Sequence, residues 1–180
     1  MMQLYYATRD GQSRRIADHV SRRLGERGVE VTAKNLAVDL PSVETLTSTR
    51  LVALIASVRY GHHLKEAEQF LTRYQSLAAP PPLVLASVNL TARKQGKDTA
   101  EGNAYLRKWI ARRQLTPVLA TAIAGRLDYP LYGWLDRQMI RLIMKMTGGP
   151  TDPRTTVEYT AWDAVDRFAW AIADLALPSE

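Results

Sequence analysis

Short apolar runs alternate with longer amphipathic stretches along most of the chain. Runs of strand length occupy residues 3–7, 29–35, 51–56, 83–89 and 118–124, and several of them are apolar at nearly every position. Such continuous apolar runs are typical of parallel strands that are buried on both faces. Between and after them, apolar side chains recur with helical spacing over residues 13–25, 63–77, 103–112 and 162–175. The alternation predicts an α/β fold, a doubly wound parallel five-stranded sheet with helices on both faces.

One segment departs from this alternation. Residues 126–150 lie between the last predicted strand and the last predicted helix, where a connection of about 2 to 6 residues is usual. This length predicts a helical insertion after the last strand, with its helix over residues 135–146. Such a helix places basic side chains on one stripe and apolar side chains roughly opposite, Arg137, Arg141 and Lys145 against Leu135, Met139, Leu142 and Met146.

Length and composition limit the number of domains and the kinds of functional site that the chain can form. A length of 180 residues is typical of one domain, so residues 1–180 are predicted to fold as a single domain. The absence of cysteine excludes disulfides, thiolate metal sites and thiol nucleophiles. His62 and His63 are adjacent and cannot both face one metal from a strand, so no metal site is predicted.

Charge and hydropathy bear on partners and location. A formal charge of +6 favours anionic partners. Part of that charge lies in Arg93, Lys94 and Lys97, which form either a solvated loop or a rim that steers anions. The first residues lack the pattern of a signal peptide, and no apolar stretch approaches the roughly 20 residues that cross a bilayer. We therefore expect no signal peptide, no transmembrane helix and a cytoplasmic location.

The first predicted strand leads directly into a polar loop that a helix follows. This first loop consists of Thr8, Arg9, Asp10, Gly11, Gln12 and Ser13. Loop amides and the free N–H groups of the helix start converge on one point, which favours a terminal phosphate. The alternative is an ordinary turn in which Ser13 or Asp10 only caps the helix. The loop matches neither a Walker motif nor a Rossmann fingerprint.

Two further polar loops follow buried strands, at the edge where open α/β sheets bind their ligands. The second loop contains Ser57, Val58, Arg59, Tyr60 and Gly61, and the third loop contains Ser87, Val88, Asn89 and Leu90. Their backbone amides and carbonyls suit the polar edge of a planar heteroaromatic ligand, and Tyr60 is available to stack on one face. The three loops together indicate a flavin.

The chain resembles the flavodoxin-like proteins, and among them the quinone-dependent (menaquinone-dependent) protoporphyrinogen IX dehydrogenases of bacterial haem synthesis. The three loops carry this resemblance, together with Tyr-Pro-Leu-Tyr at residues 129–132 and Met-Ile-Arg-Leu-Ile-Met-Lys-Met-Thr-Gly-Gly at residues 139–149. The first loop alone indicates only a flavodoxin-like protein. Ser-Val-Asn-Leu followed by Ala-Arg-Lys, and the Ile-Met-Lys-Met-Thr-Gly-Gly stretch, are specific to the dehydrogenase branch.

The resemblance implies a flavodoxin-like fold and FMN as cofactor, with the phosphate on the first loop and the ring held by the second and third loops. It also implies oxidation of protoporphyrinogen IX to protoporphyrin IX, with electrons passed to menaquinone or ubiquinone. No acid or base stands out, so the catalytic residue is unknown. Two features depart from ordinary flavodoxins: Asp10 replaces a small residue, and the third loop lacks an aromatic side chain, which leaves one ring face open to substrate.

The insertion has three possible roles. Tyr129, Tyr132, Trp134 and the basic stripe suit an anionic membrane surface, and a quinone acceptor favours a peripheral location on the cytoplasmic side of the inner membrane. A separate possibility is that Arg126, Arg137 or Arg141 pairs with porphyrinogen propionates. The simplest alternative is that the apolar side packs on the domain while the basic stripe, including Lys145, is solvated.

Two other functions are compatible with the same sequence. The first is a flavodoxin-like electron carrier, or a general quinone reductase, without a porphyrin substrate. Carriers are usually acidic, and the charge of +6 argues against one. The second is a basic domain with an empty flavin pocket that binds lipid or nucleic acid through its charge. The intact first loop disfavours it, and no nucleic-acid partner is predicted.

Overall fold

The structure of the chain is a computed structural model that describes residues 1–177. The strands are β1 (Met2–Ala7), β2 (Ala33–Asn35), β3 (Leu51–Arg59), β4 (His62–His63), β5 (Leu83–Asn89), β6 (Leu119–Ala124), β7 (Arg126–Asp128) and β8 (Thr156–Glu158). The α-helices are α1 (Gln12–Gly25), α2 (Val43–Thr47), α3 (Lys65–Gln75), α4 (Ala104–Arg113), α5 (Trp134–Thr147) and α6 (Trp162–Ala176).

Five strands form a parallel sheet in the order β2-β1-β3-β5-β6, and β4 adds a short antiparallel extension to β3. Successive residues of β1 point to opposite faces, as the pleat of a strand requires. Leu4 and Tyr6 pack with α1 and α6, whereas Tyr5 and Ala7 pack with α3 and α4. Both faces are therefore covered, which confirms the predicted doubly wound α/β fold.

The predicted elements differ from the structure mainly at their ends. The second strand spans only Ala33–Asn35, although the apolar pattern began at residue 29. The helix predicted from residue 63 begins at Lys65, because His62 and His63 pair antiparallel with Arg59 and Val58. The prediction of helix at residues 63 and 64 was therefore wrong: the chain first turns back on β3 and only then enters α3.

The insertion after the last parallel strand is confirmed, and it is longer than predicted. Strand β7 pairs antiparallel with β8, with Asp128 opposite Thr156, so the insertion comprises residues 126–158. Helix α5 lies between these strands and covers the predicted residues 135–146. The insertion has its own hydrophobic cluster, separate from the two clusters on the faces of the sheet, which contains Leu127, Tyr129, Tyr132, Ile140 and Met144.

Candidate functional site

The first loop presents uncapped helix N–H groups. Gly11 has φ +91°, in the left-handed region, and its N–H donates to Thr8 Oγ1 over 3.0 Å. No side chain caps α1, so the N–H groups of its first turn have no side-chain acceptor. The capping alternative was therefore wrong: the Ser13 hydroxyl lies 2.6 Å from Ser57 Oγ, and the Asp10 carboxylate binds Arg59. This geometry suits an anion at the start of α1.

The second loop reverses the chain in two residues that both have positive φ. Tyr60 has φ +52° and Gly61 has φ +81°, the conformation of a type I′ hairpin turn between β3 and β4. For a tyrosine this backbone conformation costs about 1 kcal/mol. The turn leaves the Tyr60 ring 45% exposed at the cleft, as stacking on a ligand requires. Strain of this kind concentrates at functional sites.

A buried polar network supports the third loop. Asn89 Oδ1 accepts from the Ala92 N–H at 3.1 Å and from Asn103 Nδ2 at 3.0 Å. Asn89 Nδ2 donates to Ser87 Oγ, which lies 2.8 Å from His63 Nε2. Fully satisfied buried networks of this kind hold one conformation. These buried side chains therefore hold the backbone of the third loop in one conformation.

His63 is neutral in this network. Its ring stacks on Trp109 with the centroids 3.6 Å apart, and burial lowers the pKa of His63 to about 3. The side chain is 6% exposed and does not line the cleft. His63 therefore supports the loops and is not a candidate acid or base at the ligand.

The three loops form one wall of a cleft of about 1050 Å³, counted with its open mouth. The structure brings most of the predicted site residues to this cleft, namely Arg9, Asp10, Gln12, Ser57, Val58, Arg59, Tyr60, Gly61, Val88, Asn89, Leu90, Arg126 and Tyr132. The remaining predicted residues do not line it, namely Thr8, Gly11, Ser13, Ser87, Trp134, Arg137, Arg141 and Lys145. Of these, Thr8, Gly11, Ser13 and Ser87 belong to the loops themselves and contact their lining residues or backbone.

The insertion forms the opposite wall, to which the sequence predicted only the contributions of Arg126 and Tyr132. Its apolar part comes from Leu131 and from the inner face of α5, with Ile140, Ile143 and Met144. Spacing of i and i+4 between Ile140 and Met144 was the available signal for this inner face. Arg93, predicted to belong either to a solvated loop or to an anion-steering rim, also lines the cleft. The other lining residues that sequence reasoning missed are Thr91, Tyr105, Gly125, Asp128 and Thr147.

An ion-pair cluster joins the two walls. Arg59 Nη2 lies 2.8 Å from Asp10 Oδ2 and 3.6 Å from Asp136 Oδ2. Arg9 Nη2 lies 4.0 Å from Asp136. Burial raises the pKa of Asp10, and the nearby Arg59 charge opposes that shift. The cluster therefore connects the first loop, the second loop and α5 through charged groups.

The basic stripe of α5 is largely engaged with backbone. Arg137 donates to the carbonyl oxygens of Tyr129 and Tyr132 at 3.3 and 3.2 Å, and Arg141 donates to that of Thr151 at 2.8 Å. These guanidinium groups satisfy carbonyls in irregular segments of the insertion. Lys145, in contrast, is exposed. Arg137 and Arg141 thus brace the insertion instead of facing solvent.

The apolar stripe of α5 faces outward. Leu135 is 67% exposed, Leu142 is 54% exposed and Met146 is 79% exposed, with Met139 beside them. The alternative that this side packs on the domain was wrong, because Ile140 and Met144 already fill the inner face. The prediction of Tyr129 and Tyr132 at a membrane boundary was also wrong, because both rings are buried in the cluster of the insertion. Within residues 1–177, no helix has the length and apolar character needed to span a membrane. The described residues also contain no group of three or more His, Cys, Asp and Glu side chains suited to a metal.

Comparisons with known proteins agree with this geometry. The profile of the Flavodoxin domain family matches residues 3–154. Protoporphyrinogen IX dehydrogenase [quinone] of Escherichia coli (strain K12) is 40% identical over 173 residues, which are 96% of this chain and 94% of that protein. The protein of the same name from Leishmania major is 38% identical over 179 residues, which are 97% of this chain and 76% of that protein.

Solved structures support the fold alone. Oxidised flavodoxin 1 from Bacillus cereus has a TM-score of 0.58 at 14% identity, covering 98% of this chain and 99% of that one. A flavodoxin from Archaea has a TM-score of 0.55, also at 14% identity, covering 98% and 100%. The chain belongs to the Flavodoxin domain family and, by its identity over nearly its whole length, to the branch formed by the quinone-dependent protoporphyrinogen IX dehydrogenases.

Proposed function

We propose that the chain oxidises protoporphyrinogen IX to protoporphyrin IX and passes the electrons to a quinone, with FMN as the cofactor. The observation that carries this function is 40% identity over 96% of the chain to a dehydrogenase of that name. The matched length includes the insertion, which supplies the second wall of the cleft. The similarity therefore extends beyond the part of the fold that all flavodoxins share.

The residues present fit a phosphorylated flavin. Uncapped N–H groups at the start of α1 point to one place, no acidic residue lies in the first turn of α1, and Arg9 lies beside it. We assign the phosphate of FMN to these backbone groups, because the Ser13 hydroxyl is already paired with Ser57. The ring then lies between the second and third loops with Tyr60 on one face. When bound, the flavin supplies the redox chemistry, and the protein positions it.

The insertion wall suits the porphyrinogen. A tetrapyrrole has a broad apolar body and carboxylate side arms, and the wall offers Leu131, Ile140 and Ile143 for the body. Of the arginines considered for the propionates, Arg126 lines the cleft, whereas Arg137 and Arg141 are held on backbone carbonyls. We therefore assign a propionate contact to Arg126 and a structural role to the other two.

Anaerobic spectroscopy of the FMN-loaded protein tests this function. Protoporphyrinogen IX is expected to bleach the flavin absorbance, and a following addition of menaquinone or ubiquinone analogue is expected to restore it. A protein-free sample controls for spontaneous oxidation of the porphyrinogen. If porphyrinogen leaves the flavin absorbance unchanged but a reductase protein reduces the flavin, the chain is an electron carrier instead.

We also propose that the outward stripe of α5 binds the membrane that holds the quinone. Four large apolar side chains share this face with exposed fractions of 42% to 79%, namely Leu135, Met139, Leu142 and Met146, and Trp134 at the start of α5 is 72% exposed. Exposed apolar surface of this extent marks an interaction site. The exposed Lys145 next to the stripe and the charge of +6 favour anionic lipid over a second copy of this basic chain.

Replacing Leu142 and Met146 with aspartate is expected to reduce binding to anionic vesicles by at least tenfold. Each buried side chain of this size contributes roughly 1.5 to 3 kcal/mol, and about 1.4 kcal/mol corresponds to tenfold. Cosedimentation with phosphatidylglycerol vesicles measures the change, and Val38→Asp is the matched control because Val38 is 86% exposed outside the insertion. Unchanged sedimentation, or a wild-type dimer in which this stripe is covered, would refute the membrane assignment.

A further inference from the structure

Asp136 is the acidic residue through which α5 meets the cofactor loops. It lies in the first turn of α5 and its side chain is 20% exposed. Its carboxylate is 3.6 Å from Arg59 of the second loop and 4.0 Å from Arg9 of the first loop. Arg59 in turn holds Asp10 of the first loop at 2.8 Å. These contacts join segments that are far apart in the sequence.

The Arg59 side chain is largely buried, and not all of its hydrogen-bond donors have an acceptor. Its side chain is 13% exposed, and its guanidinium carbon lies 5.1 Å from the Tyr132 ring centroid and 5.9 Å from that of Tyr60. Among the described residues, its Nε is buried without a hydrogen-bond partner. Removing the carboxylate partner of an enclosed charge is strongly unfavourable. Arg59 therefore needs at least one close carboxylate, and two compete for it.

A phosphate at the start of α1 changes this competition. It brings negative charge close to Asp10, and like charges that are close disfavour each other. The added negative charge favours the neutral form of Asp10, the direction in which burial already shifts the pKa of that carboxyl, and a neutral carboxyl is a poorer partner for Arg59 than the Asp136 carboxylate. The present separation of 3.6 Å leaves room for a charge-assisted hydrogen bond, which is usually about 2.8 Å long. Shortening it ties the start of α5 more firmly to the second loop.

We propose that Asp136 is a positioning residue that, through Arg59, lets the phosphate of the bound cofactor draw α5 over the cleft. This inference rests on the proposed function, in which the insertion is the second wall of the porphyrinogen site. It makes the phosphate a ligand that orders the insertion as well as an anchor for the flavin. Riboflavin, which lacks the phosphate, fills the ring site without this effect.

Hydrogen exchange of the full chain, saturated with either FMN or riboflavin, tests the proposal. In the wild type, FMN is expected to slow amide exchange in residues 134–147 several-fold more than riboflavin does. Asp136→Asn is expected to abolish this difference, and Asp136→Glu to restore it. Asp152→Asn is the matched control, because Asp152 also lies in the insertion but pairs with the exposed Arg154.

Kinetics supply a second readout. Asp136→Asn is expected to raise KM for protoporphyrinogen about tenfold, the effect of losing one charge-assisted contact, with kcat changed by less than about twofold. Equal exchange with FMN and riboflavin in the wild type would overturn the proposal, as would an FMN-specific effect that persists in Asp136→Asn. The exchange experiment involves no turnover. A protein that fails to oxidise porphyrinogen would therefore refute the proposed function, whereas the role of Asp136 in ordering α5 is decided by the exchange experiment alone.

Discussion

Gly11→Val is expected to weaken FMN binding by about 100-fold or more while leaving riboflavin binding nearly unchanged. A β-branched residue strongly disfavours the φ of +91° that Gly11 adopts, so the first loop must rearrange. That change turns N–H groups at the start of α1 away from the phosphate. Hydrogen bonds to a charged group contribute about 1.5 to 3 kcal/mol each, and loss of two corresponds to roughly 100-fold or more. Riboflavin makes no such bonds.

Gly28→Val separates this effect from general strain. Gly28 lies just beyond the other end of α1 with φ +79°, and neither Gly28 nor Gly11 has an atom within 4 Å of an added Cβ. Both substitutions therefore impose similar backbone strain, but only Gly11 borders the proposed phosphate site. Quenching of flavin fluorescence gives the Kd values. Parallel weakening of FMN and riboflavin in Gly11→Val, or equal loss in both variants, would exclude the first loop as the phosphate site.

Removal of the helical part of the insertion is expected to leave FMN bound and to reduce porphyrinogen oxidation by at least about 100-fold. Asp128 and Thr156 are paired partners on β7 and β8, so Asn-Gly in place of residues 129–155 closes the two strands with a two-residue turn. The first, second and third loops stay in place. The cleft loses Ile140, Ile143 and Met144, and poor positioning of a substrate costs on the order of 100-fold in rate.

The measurement compares two ways of reducing the flavin in the shortened protein. Dithionite reduction followed by reoxidation with a soluble quinone is expected to proceed as in the wild type, whereas reduction by protoporphyrinogen is expected to fail. The Kd for FMN and the melting temperature establish that the remaining domain is folded. Wild-type porphyrinogen oxidation in the shortened protein would remove the insertion from the substrate site.

The sheet was predictable because its strands are buried on both faces. Strands β1, β3 and β5 are apolar at almost every position, and no other local pattern competes with that signal. The edge strand β2 was less predictable: Val29 is buried by packing with α1 residues, not by pairing in the sheet, so the apolar pattern overstated the strand. The β3–β4 hairpin was missed because it requires positive φ at Tyr60, which tyrosine seldom adopts.

The cofactor side of the site was predictable from topology alone. The carboxyl ends of adjacent parallel strands meet at one edge, so the three loops had to be neighbours once the sheet was predicted. The insertion side was not predictable, because α5 has two apolar stripes and the pattern does not indicate which one faces inward. Packing decides this: Ile140 and Met144 enter the cluster with Tyr129 and Tyr132. Arg137 and Arg141, which lie between the stripes, then donate to backbone carbonyl oxygens of the insertion. No sequence pattern indicates that these carbonyl groups need a side-chain donor.

The separate hydrophobic cluster of the insertion has a consequence for dynamics. Its residues, from Leu127 to Met144, are close in sequence, whereas the parallel sheet pairs segments such as β1 and β3 that are far apart. Segments with their own local contacts behave as cooperative units that open at a lower free energy than the whole protein. We therefore expect the insertion to unfold locally and refold while the sheet stays intact. For the proposed reaction we therefore expect a bulky tetrapyrrole to enter and leave by such sub-global opening, without global unfolding of the domain.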